Sequence, residues 1–171
     1  MRIDDLNQAS AVDFVAALGG IYEHSPWVAE AVCAQRPFAS LDGLTQAMAE
    51  AVAHASPAAK LALIRAHPQL AGKAAVANDL TEASQREQRG AGLDRCTPDE
   101  FQRLTALNAA YEARFDFPFI LAVAGHTRDS ILAALQHRLA NTVEQEFDEA
   151  LRQIDRIAAL RLQALLGHSA A

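Results

Sequence analysis

A chain of 171 residues, 51% hydrophobic and carried mainly by Ala and Leu, is long enough to bury roughly 70% of its unfolded surface as one domain. The formal charge of −6 argues against a nucleic-acid surface, which needs a basic stripe, although an acidic protein still has room for a locally positive pocket. No apolar run approaches ~18 residues, so a membrane span is not expected. The N-terminus lacks a signal-peptide pattern, and Cys33 and Cys96 stand in no CxxC or Cys/His metal spacing, which fits a reducing cytoplasm.

Taken in order, the chain punctuates itself into helices. Ser10 opens one with Val12, Phe14, Val15 and Leu18 as its apolar residues, and Gly19-Gly20 closes it. Pro26 suits the first turn of the next, whose apolar face is Trp27, Val28, Ala31 and Val32. His24, between Tyr22 and Trp27, reads as a core histidine. Arg36-Pro37-Phe38 breaks the pattern. Ser40 then caps a helix carrying Leu41, Leu44, Met48 and Val52, and Ser56-Pro57 starts another with Leu61 and Ile64 inward.

That helix delivers His67. A residue before proline is pushed out of the α region, so Pro68 stops the helix and leaves the imidazole at its C-terminus. Farther on, Thr81 caps a short helix in which Ser84, Glu87 and Gln88 are three and four apart and share one face. A hydroxyl, a carboxylate and a carboxamide on one face form a grip for a small, highly hydrogen-bonding molecule; a solvated surface is the other reading. Lys73 falls in a polar loop between the two. Gly90 and Gly92 close the short helix.

Thr97-Pro98-Asp99-Glu100 is a capping box with proline at the first helical position. Phe101, Leu104, Asn108, Tyr111 and Phe115 follow at helical spacing. Phe117 to Gly125 is different: apolar, with a proline and a glycine, and with no partner segment of period two. It reads as a buried extended connection whose main-chain groups need partners, either a ligand or side chains and water. Thr127 starts a helix with Ile131, Leu132 and Leu135 inward. Thr142 and Gln145 box the start of the last helix, Val143 towards Leu166, with Val143, Phe147, Ala150, Ile154, Ala158 and Leu165 as its stripe. At ~100° per residue Arg161 lies on the centre of that stripe and Arg152 opposite it. A guanidinium there needs a carboxylate or an anionic ligand, and both readings stand. The pattern predicts an all-α fold, a compact single-domain bundle of about eight helices over residues 1–171, with a buried extended segment near 117–125.

Several chemistries lack residues. Lys60 and Lys73 are the two lysines, and Lys73 sits beside a glycine, which disfavours a desolvated Schiff base. GxGxxG, GxxxxGK[ST] and HExxH are missing, and the six histidines have no ligand-like spacing. What remains is cofactor-free acid–base chemistry by a histidine with Glu, Gln, Ser and Arg positioning the substrate. A non-catalytic helical interaction protein and a metal-dependent hydrolase are the rivals. The first predicts Arg161 in an internal ion pair, and the second needs His67 and Glu87 to converge on a metal.

The chain resembles the 2-oxo-4-hydroxy-4-carboxy-5-ureidoimidazoline (OHCU) decarboxylases of the urate-to-allantoin pathway along nearly its whole length. The resemblance is carried by EHSPWVAE, RPF, HPQLAGK, SQREQRGAGL, FDFPFILAVAGHTRDSIL and RLANTVEQEFDEALRQIDRIAALRL. It implies an all-helical homodimer without metal or organic cofactor, acting on OHCU in the cytoplasm, with no nucleic-acid or membrane partner. It also implies His67 as the acid/base residue, with Glu87 and Arg161 completing the catalytic set. Substrate-binding residues follow by position: Pro68, Ser84, Gln88, and Phe119, Ile120, Leu121, Ala122 and Val123. Gln69 stands where the family often has an acid. The chain carries no fused hydroxyisourate hydrolase segment and ends Ser169-Ala170-Ala171, unlike the peroxisomal targeting tripeptide of some relatives.

Overall fold

The computed structural model describes residues 1–72 and 80–167. Among the described residues there are nine α-helices, one 3₁₀ turn and no β-strand, so the all-α expectation holds. The helices are α1 Ile3–Gln8, α2 Ala11–Leu18, α3 Trp27–Cys33, α4 Leu41–Ala53, α5 Pro57–Ala66, α6 Glu82–Gly90, α7 Pro98–Phe115, α8 Arg128–Arg138 and α9 Val143–Leu166. The 3₁₀ turn is Leu93–Arg95. Lys73 lies outside the described residues.

Short polar side chains set the helix starts. Ser10, Ser40, Thr81, Thr97, Thr127 and Thr142 each accept a hydrogen bond from the main-chain N–H three residues on. At α7 and α9 the box closes: Glu100 accepts from Thr97 N–H at 2.8 Å and Gln145 from Thr142 N–H at 2.9 Å. α1 was not expected. Its one buried residue is Leu6, too little for a periodic signal.

Three large apolar residues expected inside are exposed. Val12 is 78% exposed, Val143 50% and Phe101 40%. All three occupy the first turn of their helices, where an apolar stripe runs beyond the packed part. His24 is exposed as well, on a left-handed backbone at φ 47°, and its neighbour Glu23 is the buried residue of that turn. On α3 the inward alanine is Ala29, not Ala31, and on α5 it is Leu63 that joins Ile64 inside, while Leu61 is half-buried.

The chain divides into two compact units, Met1–Ala66 with the chain from Asp155, and His67–Ile154. The boundary falls inside α9. In the first unit Phe14 stacks on Phe38 at 6.3 Å, and the Arg36 guanidinium lies over the Phe14 ring at 4.8 Å. The Asn7 carboxamide brackets Phe38, donating to its carbonyl at 2.9 Å and accepting from its N–H at 2.8 Å. The second unit is built on a cluster of aromatic rings: Tyr111 and Phe115 of α7, Phe117 and Phe119 beyond it, and Phe147 of α9.

Candidate active site

α5 ends at Ala66, as Pro68 requires, and His67 follows with 6% of its surface exposed. Three side-chain contacts hold the loop after it. Gln88 Oε1 accepts from Ala71 N–H at 2.9 Å, Gln88 Nε2 donates to the Gln69 carbonyl at 3.4 Å, and Asn108 Nδ2 donates to the Leu70 carbonyl at 2.9 Å. Ala71 sits at φ 49°, a left-handed backbone that costs a non-glycine residue about 1 kcal/mol. The clamps hold it there. Residues Gln69, Leu70 and Ala71, behind His67–Pro68, are therefore held in a set shape.

α6 presents the expected polar face. Ser84 and Gln88 are buried at 4% and 6% exposure, while Glu87 between them is half-buried. Gln88 meets the His67 loop, at Ala71 and Gln69. α7 then ties that loop to the apolar segment. Asn108 grips Leu70, and one turn later the Tyr111 ring meets Phe119 edge-on at 5.3 Å. Asn108 Nδ2 is oriented by the Leu70 carbonyl. Its Oδ1 is thereby a buried acceptor without a hydrogen-bond partner among the described residues.

Phe119, Ile120, Leu121, Ala122 and Val123 are all buried and non-helical, as expected. The Ile120 carbonyl accepts from Arg138 Nη1 at 2.6 Å, and Ala122 N–H donates to Gln153 Oε1 at 2.9 Å. The Val123 carbonyl accepts from His126 N–H at 2.9 Å. The main-chain groups of Phe119 and Leu121, the Ile120 N–H and the Ala122 carbonyl have no hydrogen-bond partner among the described residues. Of the two alternatives for this segment, side chains are present as partners for some of its main-chain groups, the Ile120 carbonyl and Ala122 N–H.

Arg138 belongs to a saturated buried pair. Its Nε reaches both Glu146 oxygens at 3.1 and 3.0 Å, its Nη2 reaches Oε2 at 2.7 Å, and the guanidinium lies over Phe119 at 4.6 Å. Glu146 also accepts from Asn141 Nδ2 at 2.6 Å and from the Tyr111 hydroxyl. Burial, with the Glu146 carboxylate beside it, pushes the Tyr111 phenol far above its ordinary range.

In the other unit Arg161 lies where helical phase puts it, 9% exposed on the stripe, while Arg152 is out in solvent. Arg161 Nη1 meets Glu23 Oε2 at 2.7 Å and the Gly20 and Ile21 carbonyls at 3.4 Å. Of the two readings left open for this guanidinium, a carboxylate partner is present. Nearby, the Tyr22 hydroxyl donates to Asp155 Oδ1 at 2.8 Å. Burial raises the pKa of both groups, and the Tyr22 hydrogen bond pulls Asp155 partly back.

The sequence reading passed over Glu23, Asn108 as a polar group, Arg138, Glu146 and Gln153. For Glu146 there was a signal: three residues from Val143, it lies about 60° from the stripe centre on which Arg161 falls. Among the described residues no three His, Cys, Asp or Glu side chains are grouped to hold a metal ion, and none of the helices is long and apolar enough to cross a membrane.

Residues 7–163 match the family model described as OHCU decarboxylase. A 2-oxo-4-hydroxy-4-carboxy-5-ureidoimidazoline decarboxylase of Halalkalicoccus jeotgali is 43% identical over 165 residues, covering 96% of this chain and 92% of that protein. A uric acid degradation bifunctional protein of a Bacillus species is 41% identical over 96% of this chain, which spans 32% of that longer protein. Among solved structures, an (S)-allantoin synthase superposes with a TM-score of 0.79 at 35% identity, over 97% of this chain and 54% of that one.

Proposed function

This chain belongs to the OHCU decarboxylase family, and from that membership we propose that it converts OHCU to (S)-allantoin in urate degradation without metal or organic cofactor. The observation that carries the reading is that buried polar groups on and beside the apolar segment, Asn108 Oδ1 and main-chain groups of residues 119–122, are left without a hydrogen-bond partner among the described residues. A small ureide, dense in N–H and C=O groups, is the kind of ligand that satisfies them.

The chemistry needs no external electron sink. The bond from ring carbon to carboxylate breaks, CO₂ leaves without its electrons, and the pair enters the conjugated imine of the ring. The resulting enol is protonated at carbon on one face, which sets the S configuration. In this proposal His67 moves that proton, and Glu87 and Gln88 hold the ureido group. Pro68 and Ser84 line the substrate, and Phe119 to Val123 hold the ring amide. Arg161 offsets negative charge on substrate or intermediate. What supports these roles is that His67, Ser84, Gln88 and Arg161 are all buried, where a polar group needs a partner. We further propose a cytoplasmic homodimer; light scattering of the purified protein tests the dimer.

The rival, a non-catalytic interaction protein of the same fold, draws on one observation, the Arg161–Glu23 pair. One assay separates the two. OHCU is generated in place from urate by urate oxidase and hydroxyisourate hydrolase, and circular dichroism follows allantoin. The decarboxylase reading expects one enantiomer to accumulate ahead of the spontaneous racemate; signal no faster than the uncatalysed background supports the rival.

A further inference from the structure

We infer that Arg138 and Gln153 are positioning residues, which hold one edge of the Phe119–Val123 segment so that the N–H and C=O groups of Phe119 and Leu121 are presented to the ligand. The inference rests on the decarboxylase reading and deepens it. A buried segment outside helix and sheet has to satisfy its main chain some other way. Here the satisfied groups, the Ile120 carbonyl and Ala122 N–H, are two residues apart, and in an extended chain residues i and i+2 face the same edge. Phe119 and Leu121 then face the opposite edge, where no main-chain group has a partner among the described residues; on the held edge the Ile120 N–H and the Ala122 carbonyl are also left over. Side chains from α8 and α9 take the place of a neighbouring strand on one side and leave the other side open.

Both clamps are themselves fixed. Arg138 is locked by Glu146 through Nε and Nη2, which aims Nη1 at Ile120. Gln153 Nε2 donates to Glu149 Oε1 at 2.8 Å, and Glu149 is paired with Arg152 at 2.7 Å. That bond sets which end of the carboxamide faces Ala122: the oxygen, as an acceptor. A scaffold serving stability alone would pair both edges, because an unmatched buried N–H or C=O is costly. The open edge suits a cyclic amide or ureide with N–H beside C=O, the chemistry of both OHCU and allantoin.

Arg138 sits in the core and its variants risk misfolding, so half-buried Gln153 carries the test. Gln153→Met keeps the length and removes the acceptor. The expected result is a KM for in-place OHCU raised about tenfold with kcat within about twofold, since lost ground-state and transition-state binding appears in KM. The double variant Gln153→Glu/Glu149→Gln exchanges donor and acceptor and keeps an acceptor for Ala122; it is expected to return KM to within about twofold of wild type. A purely structural Gln153 would lower Tm and leave KM at the wild-type value, which overturns the inference. On the wild-type protein, adding (S)-allantoin should shift the amide resonances of Phe119 and Leu121 and leave that of Ala122 nearly still; the reverse order overturns it independently of any variant. A wild-type chain without turnover defeats the decarboxylase reading itself. Turnover together with an unchanged Gln153→Met KM defeats this inference alone.

Discussion

Two buried arginine–glutamate pairs stand in the two units, and they are built differently. Arg138 and Glu146, the second 0% exposed, are tied to each other by three nitrogen–oxygen contacts and to Ile120, Tyr111 and Asn141 besides. They join α7, α8, α9 and the apolar segment into one network. Arg161 and Glu23 meet through Nη1, and the same nitrogen reaches two carbonyls of the turn at Gly20 and Ile21. The first pair is scaffold under the apolar segment; the second fixes a cation for which we propose a role in catalysis. A charge inside an oily stripe therefore does not announce its purpose.

The comparison is sharpest where each pair is broken. Removing one partner of a buried, hydrogen-bonded pair leaves an uncompensated charge and costs about 3–5 kcal/mol. Arg138→Met should lose that much in urea unfolding, the largest effect expected here, because Glu146 is fully enclosed and the Ile120 carbonyl is orphaned too. A loss under about 1 kcal/mol would mean the network is not the scaffold it resembles.

Next comes the double replacement Glu23→Gln/Arg161→Met. Taking out both charges together is often near neutral for stability. We expect unfolding within about 2 kcal/mol of wild type and (S)-allantoin formation lowered at least tenfold, roughly the worth of one charge-assisted hydrogen bond. Full turnover in that double variant would reassign Arg161 to structure, alongside Arg138.

The smallest effect is at Asp155, whose pKa is raised by burial. A carboxyl with a folded pKa above its unfolded value contributes stability below the unfolded pKa, and that contribution is lost as pH rises through the folded pKa. Asp155→Asn removes this titration. Its Tm should therefore gain on wild type as pH climbs from the ordinary carboxylate range towards neutrality, and match it below. A difference constant across that range would deny the shift.

Much of this was legible in the chain. The helix starts follow from Ser10, Ser40, Thr81, Thr97, Thr127 and Thr142, because capping is a local interaction. Pro68 likewise stops α5 locally, and the phase of Arg161 follows from helix geometry alone. What escaped is long-range. Glu23 is 138 positions from Arg161 and Asn108 is 38 from Leu70, and no local pattern encodes either meeting. Arg138 escaped for another reason: a cation in the last turn of α8 is expected anyway from the helix dipole, so nothing flagged it as buried. Val12, Phe101 and Val143 show the opposite failure, in which periodicity continues into a first turn that packing does not reach.

The central claim is that the imidazole at the end of α5 moves the proton that makes allantoin chiral. It is tested most directly by the initial rate of (S)-allantoin formation, read by circular dichroism, for His67→Ala against wild type at matched fold content. The account predicts a fall of ~10²–10⁴-fold with unfolding unchanged to within the cavity left by the ring. A variant that folds and still forms (S)-allantoin at close to the wild-type rate would contradict it.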